Sequence, residues 1–323
     1  MMNILVTAVG SELAFSIIKA LKLASFPFKL YGSDINSEVA GKYWCDKFYQ
    51  VPLAVNEAAY IQKLKEIVQT EGINAIIPSN DAEILTLARY KEEFQNSCNC
   101  LIILNASEEV ERFNDKWLSY LWFDENKIPC PKTYLIKDLM NNESNLSGLT
   151  FPMILKPRIG GGSRSIFRIN STEELLKYGL VMPDHVLQEY LYPDNEEYTA
   201  GVYRTRNDEV FVIILKRKLK FGMTNTAETV FDSDLENFVR QSILKTKLSG
   251  SVNIQFRLTD QGPKVLEINP RFSGTTGIRA NFGFNDVEMS IKELILNHKF
   301  KQPVIRSGFV LRYFEEQYHF KNQ

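Results

Sequence analysis

Residues 250–272 read GSVNIQFRLTDQGPKVLEINPRF. Two alternating runs flank a DQG turn, the pattern of an antiparallel hairpin with one apolar and one polar face. Asp260, Gln261 and Gly262 suit a three-residue loop with glycine at its left-handed position. Gln255 then opposes Glu267 and Asn253 opposes Asn269, while Val252, Ile254, Phe256, Leu266 and Ile268 share the other face. A slip of one residue would bury Glu267, so the pattern itself specifies the register. The polar face carries carbonyl-oxygen donors and ends at Arg271, whereas an ordinary wet face recruits Lys, Thr and Ser. Two readings follow. One is a solvated sheet face; the other is a platform for Mg²⁺, which takes one or two carboxylates and completes its octahedron with phosphates.

A second anion-shaped feature lies upstream. In ILKPRIGGGSRSIF (154–167), Gly160, Gly161 and Gly162 precede Ser163 and Ser165. Consecutive glycines let backbone N–H groups approach an anion, and the serines add hydroxyl donors. The spacing is not that of a Walker A loop, and the flanking segments read as strands rather than strand and helix. Such a loop is ordinarily a flexible hairpin tip. Lys156 just before it, with Arg158 and Arg164 around it, shifts the balance toward phosphate, since a lysine there supplies a point cation. LQEYLYPDNEEYT (187–199) adds Gln188, Glu189, Glu196 and Glu197, which alone make an acidic loop.

The first hundred residues alternate apolar runs (3–9, 28–35, 74–79, 100–105) with amphipathic segments (11–24, 57–72, 81–94). That alternation predicts a parallel sheet with helices on both faces. A dinucleotide fingerprint needs three glycines, and TAVGSELAF offers only Gly10. From Ser107 the texture changes to two short helices, then strands over 151–157, 165–169, 186–191, 197–206 and 209–219. A helix over 235–248, the hairpin, a helix over 286–298 and a weakly patterned tail complete the chain. KRKLKFGMTNTAET (216–229) reads as a basic segment running into a small-residue loop, and Arg217 and Lys218 are candidates for a substrate carboxylate. Arg279, in FSGTTGIRANFG (272–283), is another.

The chain has 323 residues, 44% of them hydrophobic and 24% charged, with a net charge of −1. This fits a globular protein of two or three domains and argues against a nucleic-acid partner, whose phosphates are neutralised mainly by Lys and Arg. Cys45, Cys98, Cys100 and Cys130 match neither a disulfide framework nor a zinc quartet, so reduced thiols in a cytoplasmic protein are expected. The N-terminal MMNILVTAVG lacks a basic start. The apolar run VFVIIL (210–215) is far short of the ~20 residues that span a bilayer, so no membrane partner is expected. His185, His298 and His319 receive no catalytic role.

In order and spacing these segments resemble the ATP-grasp superfamily of carboxylate–amine ligases. The resemblance is strongest to the branch around the carbamoyl phosphate synthase large subunit and the free-standing amino-acid and peptide ligases. It implies an α/β fold: a Rossmann-like parallel sheet (1–106) followed by a two-subdomain α+β ATP-grasp domain, divided as 107–190 and 191–323. It implies that Lys116 and Lys156 contact ATP phosphates beneath a loop containing Gly161, Gly162 and Ser163. Glu189 and Leu191 match the hinge that reads adenine, and Glu197, with Glu196 beside it, the ribose-binding acid. Gln255, Glu267 and Asn269 match the ligands of one or two Mg²⁺ ions, and Arg271 the cation that steadies the transferred phosphoryl group. Gln255 departs from members with an acid there. The implied reaction joins a small-molecule carboxylate to an amine through an acyl phosphate. Bicarbonate activation, or ATP binding without catalysis, are the alternatives. Members of the family are often dimers, so a homodimer is compatible with the resemblance.

Overall fold

The computed structural model describes residues 1–141, 146–160 and 165–319. Contacts divide the chain into two compact units, one of Met1–Ala106, Thr224–Thr229 and Phe272–Gln323, the other of Ser107–Met223 and Val230–Arg271.

The first unit is built on a parallel sheet of β1 (Met2–Val6), β2 (Phe28–Asp34), β3 (Lys47–Gln50), β4 (Ala75–Ile77) and β5 (Leu101–Ile102), in the order β3–β2–β1–β4–β5. Ile4, Leu5 and Val6 are fully buried, as expected where helices cover both faces of a parallel strand. The helix Glu12–Lys22 starts at Ser11, whose Oγ accepts from the Ala14 N–H at 3.0 Å. Gly72 closes the helix Glu57–Glu71 at φ 59°, a left-handed position that glycine occupies without steric cost. The predicted helix over 81–94 is two, Asp81–Arg89 and Lys91–Cys98, parted at Tyr90. β3 went unread because KFYQ is a short, half-exposed edge strand with no clean alternation.

Phe272–Gln323 joins this unit, whereas the sequence grouped residues 191–323 together. Ser16 Oγ donates to the Gly274 carbonyl at 2.9 Å and accepts from the Gly277 N–H at 2.8 Å. Arg312 pairs with Glu12 and also donates to the Gly274 carbonyl at 2.7 Å. The segment read as a small-residue loop contains a strand over Met223–Val230, and the tail contains one over Phe309–Leu311; the two pair antiparallel. Neither partner could be recognised locally, since 79 residues separate Thr229 from Gly308, which bond at this ladder's end.

Glu83 in this unit is 5% exposed and accepts from Thr7 Oγ1 at 2.5 Å. Burial pushes its carboxyl up to about 7, against the hydrogen bond from Thr7 and with a further push from Asp34. Between the ordinary value of 4.5 and about 7 the folded state keeps a proton that the unfolded chain has released. Stability therefore falls as pH rises through that window and levels off above it. Glu83→Gln is expected to flatten the profile and to stabilise the protein above neutrality by on the order of 3 kcal/mol. Melting temperature against pH checks this; parallel wild-type and variant profiles would refute it.

In the second unit two antiparallel sheets carry the polar motifs. The first comprises β6 (Thr133–Leu135), β7 (Met153–Pro157), β8 (Phe167–Ile169) and β9 (His185–Glu189), ordered β6–β9–β7–β8. The second contains β10 (Glu197–Arg204), β11 (Val210–Lys220), and, after the β12 strand Met223–Val230, β13 (Gly250–Thr259) and β14 (Gly262–Asn269), in the order β14–β13–β10–β11. Tyr198, Ala200, Val202, Val252, Ile254 and Phe256 line one face of this sheet, packed with Leu235, Val239 and Ile243 of the helix Ser233–Leu244. Gln255, Asn253 and Thr199 therefore point the other way.

The hairpin pairs Gln255 with Glu267 and Asn253 with Asn269, as its polar pattern demands. The turn differs from expectation. Thr259 opposes Gly262 directly and leaves a two-residue loop, and a β-bulge beyond Phe256–Val265 restores the register by the time Glu267 is reached. Val265 thus takes the core position expected of Leu266, and Leu266 is turned out of the core. Among the described residues no helix is long and apolar enough to cross a membrane.

Candidate active site

All of the site's described charged groups considered below, apart from Arg279, lie in the second unit. The helix Lys116–Glu125 begins at Asp115, whose Oδ1 accepts from the N–H groups of Trp117 (2.9 Å) and Leu118 (3.2 Å). Arg158 Nε donates to both Asp115 oxygens, at 2.9 and 2.7 Å, and its carbonyl accepts from the Lys116 N–H at 2.9 Å. The start of this helix is thereby fastened to the chain leaving β7, the strand that carries Lys156. Lys116 Nζ reaches the Gly160 carbonyl at 2.5 Å. Lys156 is 9% exposed and donates to Gln188 Oε1 at 2.7 Å, while Gln188 Nε2 donates to Thr133 Oγ1 at 2.9 Å.

Burial pushes the Lys156 ammonium down to about 8, and the charge of Lys116 pushes the same way, opposed by the Glu267 carboxylate. Two cations and an acid from three distant segments therefore share one neighbourhood. A small, open recess is lined by Lys116, Tyr120, Thr133, Gln188, Leu266 and Glu267 among others.

The remaining predicted residues divide into groups the structure brings together and groups it does not. Glu189 ends β9, pairing with Lys264 at 3.0 Å and accepting from the Lys132 N–H at 3.1 Å. Leu191 is buried, and its carbonyl accepts from Arg257 at 2.9 Å. Glu197 lies between Arg217 and Arg257, each at 2.9 Å. Glu196 pairs with Lys216 at 2.5 Å and accepts from the Tyr198 hydroxyl, and these bonds hold its carboxyl below the usual range. Arg271 is half-buried just past β14, with its N–H on the Asn269 carbonyl at 2.8 Å. Gly161, Gly162 and Ser163 lie outside the described residues.

Three expectations need correction. Arg217, expected to hold a substrate carboxylate, already binds Glu197 and donates to Gln255 Oε1 at 2.8 Å. Gln255, expected to address a metal, has one of the two lone pairs of that oxygen on the Arg217 guanidinium. Arg279 is 0% exposed and belongs to the first unit, paired with Asp286 at 2.6 Å and bonded to Ser273 and Thr276. An interior guanidinium so engaged is a structural tie, not a substrate contact.

Glu267 and Asn269 still fit Mg²⁺. They are two apart on β14 and so share its polar face, one supplying a carboxylate and the other an amide oxygen. Two protein oxygens suit an ion that leaves its other positions to phosphate and water.

Sequence reasoning passed over Arg257, Lys264, Thr133 and Leu266. Arg257 was within reach, since it sits two residues past Gln255 on the same strand. Thr133 and Lys264 act through partners 55 and 75 residues away, a relation that no local pattern carries. Leu266 reaches the recess only because of the bulge.

Comparison with known proteins places this arrangement in a class. Residues 181–317 match the family described as "ATP-grasp in the biosynthetic pathway with Ter operon", and residues 4–102 match the PylC-like N-terminal domain. The chain carries an ATP-grasp domain behind an N-terminal domain of that kind. An uncharacterised protein of Methanocaldococcus jannaschii is 26% identical over 216 residues, 63% of this chain and 51% of its own length. The arginine-specific large chain of carbamoyl phosphate synthase from Geobacillus stearothermophilus is 20% identical over 72% of this chain and 22% of its own. The chain thus spans about half or less of the curated relatives it matches.

Among solved structures, N5-carboxyaminoimidazole synthetase from Staphylococcus aureus complexed with ADP superposes with a TM-score of 0.75 at 14% identity, over 93% of this chain and 79% of that one. The biotin carboxylase domain of Hydrogenobacter thermophilus 2-oxoglutarate carboxylase, a dimer solved with MgADP and bicarbonate, gives 0.75 at 17% identity over 96% and 73%. The L-amino acid ligase of Bacillus licheniformis gives 0.71 at 13% identity over 91% and 74%. At these identities the structural likeness is one of fold.

Proposed function

We propose that this protein is an ATP-dependent carboxylate–amine ligase acting on small molecules in the cytoplasm. The observation that carries the reading is the buried Lys156, facing a second cation, Lys116, and the acid Glu267 beside a recess. A buried ammonium next to another ammonium is costly unless an anion compensates both, and a polyphosphate does so.

In this reading Lys156 and Lys116 bind the phosphates, and Arg271 offsets charge on the phosphoryl group in transfer. Gly161, Gly162 and Ser163 close over the phosphates. Glu189 and the backbone at Leu191 read the base. Glu197 accepts from the ribose with the lone pairs its two arginines leave open, since a carboxylate offers about four acceptor sites. Glu267 and Asn269 would hold Mg²⁺, which when bound offsets phosphate charge and orients the reacting oxygens. Arg217 acts through Gln255 and Glu197, keeping both oriented.

The substrate carboxylate attacks the γ-phosphorus and expels ADP. An amine then attacks the acyl carbon of the resulting acyl phosphate, releasing inorganic phosphate and a proton as the amide forms. Positioning and charge compensation suffice for both steps, so no protein nucleophile is required.

The test is ADP release with Mg²⁺-ATP over pooled carboxylates and pooled amines, each pool omitted in turn. Release that needs one acid pool and one amine pool is the expected result. Release with an acid and no amine, bicarbonate included, would replace the reading with carboxylate phosphorylation alone. Failure to bind ATP would end it.

A further inference from the structure

One guanidinium joins the two groups proposed to hold the nucleoside, the Leu191 backbone and the Glu197 carboxylate. Arg257 Nη1 donates to the Leu191 carbonyl and its Nη2 to Glu197 Oε2, each at 2.9 Å. Leu191 lies on the segment between β9 and β10, whereas Glu197 opens β10 and opposes Arg257 on β13. Asp194, farther along that segment, approaches Arg257 Nη1 to 3.8 Å and accepts from the Tyr190 hydroxyl at 2.6 Å. The Arg257 and Glu197 side chains are 15% and 16% exposed, so little water competes for these bonds. Glu197 Oε1 is engaged by the other arginine. It accepts from both Nε and Nη2 of Arg217, at 3.1 and 2.9 Å. A carboxylate has about four lone-pair sites. Two are filled on Oε1 and one on Oε2, which leaves one open, on Oε2.

We infer, on the footing of the ligase reading, that Arg257 is the positioning residue of the nucleoside end and that it restricts Glu197 to one ribose hydroxyl. A planar guanidinium holds its N–H groups in a fixed fork, so the base-reading peptide and the ribose-binding acid are kept at one mutual spacing. A lysine ammonium, a point charge on a flexible stem, has no such fork. An unencumbered carboxylate accepts from two vicinal hydroxyls as a pair. A single open site accepts from one hydroxyl and leaves the other to water. Loss of the accepted hydroxyl then removes a charge-assisted bond, while loss of its neighbour removes nothing the protein supplies. Freeing Oε2 from Arg257 would reopen the second site, so the two hydroxyls would become alike just as the spacing is lost. An arginine that merely ties two segments together predicts no such asymmetry.

Calorimetric titration of the full chain with ATP, 2′-deoxyATP, 3′-deoxyATP and inorganic tripolyphosphate at fixed Mg²⁺ tests both parts. Wild type is expected to bind one deoxynucleotide about tenfold more weakly than ATP, the worth of one charged hydrogen bond, and the other within about twofold. That comparison needs no variant, so it stands whatever a substitution does to folding. In Arg257→Met the gap between the two analogues should close and ATP should weaken about tenfold. Tripolyphosphate, which lacks the nucleoside, should bind that variant as it binds wild type. Arg257→Lys should resemble Arg257→Met rather than wild type. Equal losses on removing either hydroxyl, or no loss on removing either, would overturn the restriction to one hydroxyl. Equal weakening of ATP and tripolyphosphate in both variants would overturn the positioning role and leave Arg257 a structural tie. Absence of ATP binding by wild type would remove the ligase reading and this role together, whereas the other failures leave the ligase reading in place.

Discussion

Glu267→Ala is expected to lower ATP-dependent ADP release by at least ~10²–10³-fold, the usual loss when one fixed electrostatic element of a transition state is removed. Glu267 is the acid whose charge opposes the depressed protonation of Lys156, and it borders the recess. The substitution thus has two effects. It removes the only carboxylate of the proposed metal platform, and it leaves Lys116 and Lys156 facing each other without a compensating anion. The second effect tightens the hold on a polyphosphate, so nucleotide affinity in the absence of Mg²⁺ should fall far less than turnover, or rise. Calorimetric titration of ATP with and without Mg²⁺, beside the kinetic assay, separates the two. Equal losses of binding and turnover with no dependence on Mg²⁺ would count against the metal assignment.

Lys156→Met is expected to weaken ATP binding about 10- to 100-fold, the worth of one charged hydrogen bond to a phosphate. In the wild type the ammonium is held at about 8, burial being the main cause. Its charge is therefore complete well below pH 8 and is lost as pH rises through that value. ATP affinity should accordingly decline on the alkaline side, with a midpoint at or above about 8, since bound phosphate stabilises the charged form. Lys156→Arg keeps a charge that does not titrate in this range, so its affinity, though reduced by the tighter fit, should be flat with pH. Fluorescence titration of a nucleotide analogue across pH distinguishes the three proteins. A wild-type profile as flat as that of the arginine variant would dissociate Lys156 from the phosphates.

The hairpin shows how far local pattern reaches. Alternation assigned Val252, Ile254 and Phe256 to the core and Gln255 opposite Glu267, and the structure agrees on both. A two-residue periodicity is a property of the strand itself and so is written in consecutive residues. The same reasoning placed Leu266 in the core, where Val265 sits instead, because a bulge is an irregularity that leaves composition and overall alternation almost untouched. The parallel arrangement of the first hundred residues was legible for the reason the hairpin was: apolar runs and amphipathic segments declare their own geometry.

Sequence alone, then, determined most of the element types, though not the strands Lys47–Gln50, Met223–Val230 and Phe309–Leu311, together with the polar face of β14, the order of motifs and the resemblance they carry. Tertiary structure decided which charges meet. Arg279 and Arg217 were both candidates for a substrate carboxylate, yet one is buried on Asp286 and the other is held by Glu197 and Gln255. Lys116 joins Lys156 only because Asp115 and Arg158 clasp a helix start to the end of a strand. Contacts between groups tens of residues apart depend on how whole elements pack, and a guanidinium carries no local mark of whether its partner is a substrate or a neighbouring acid.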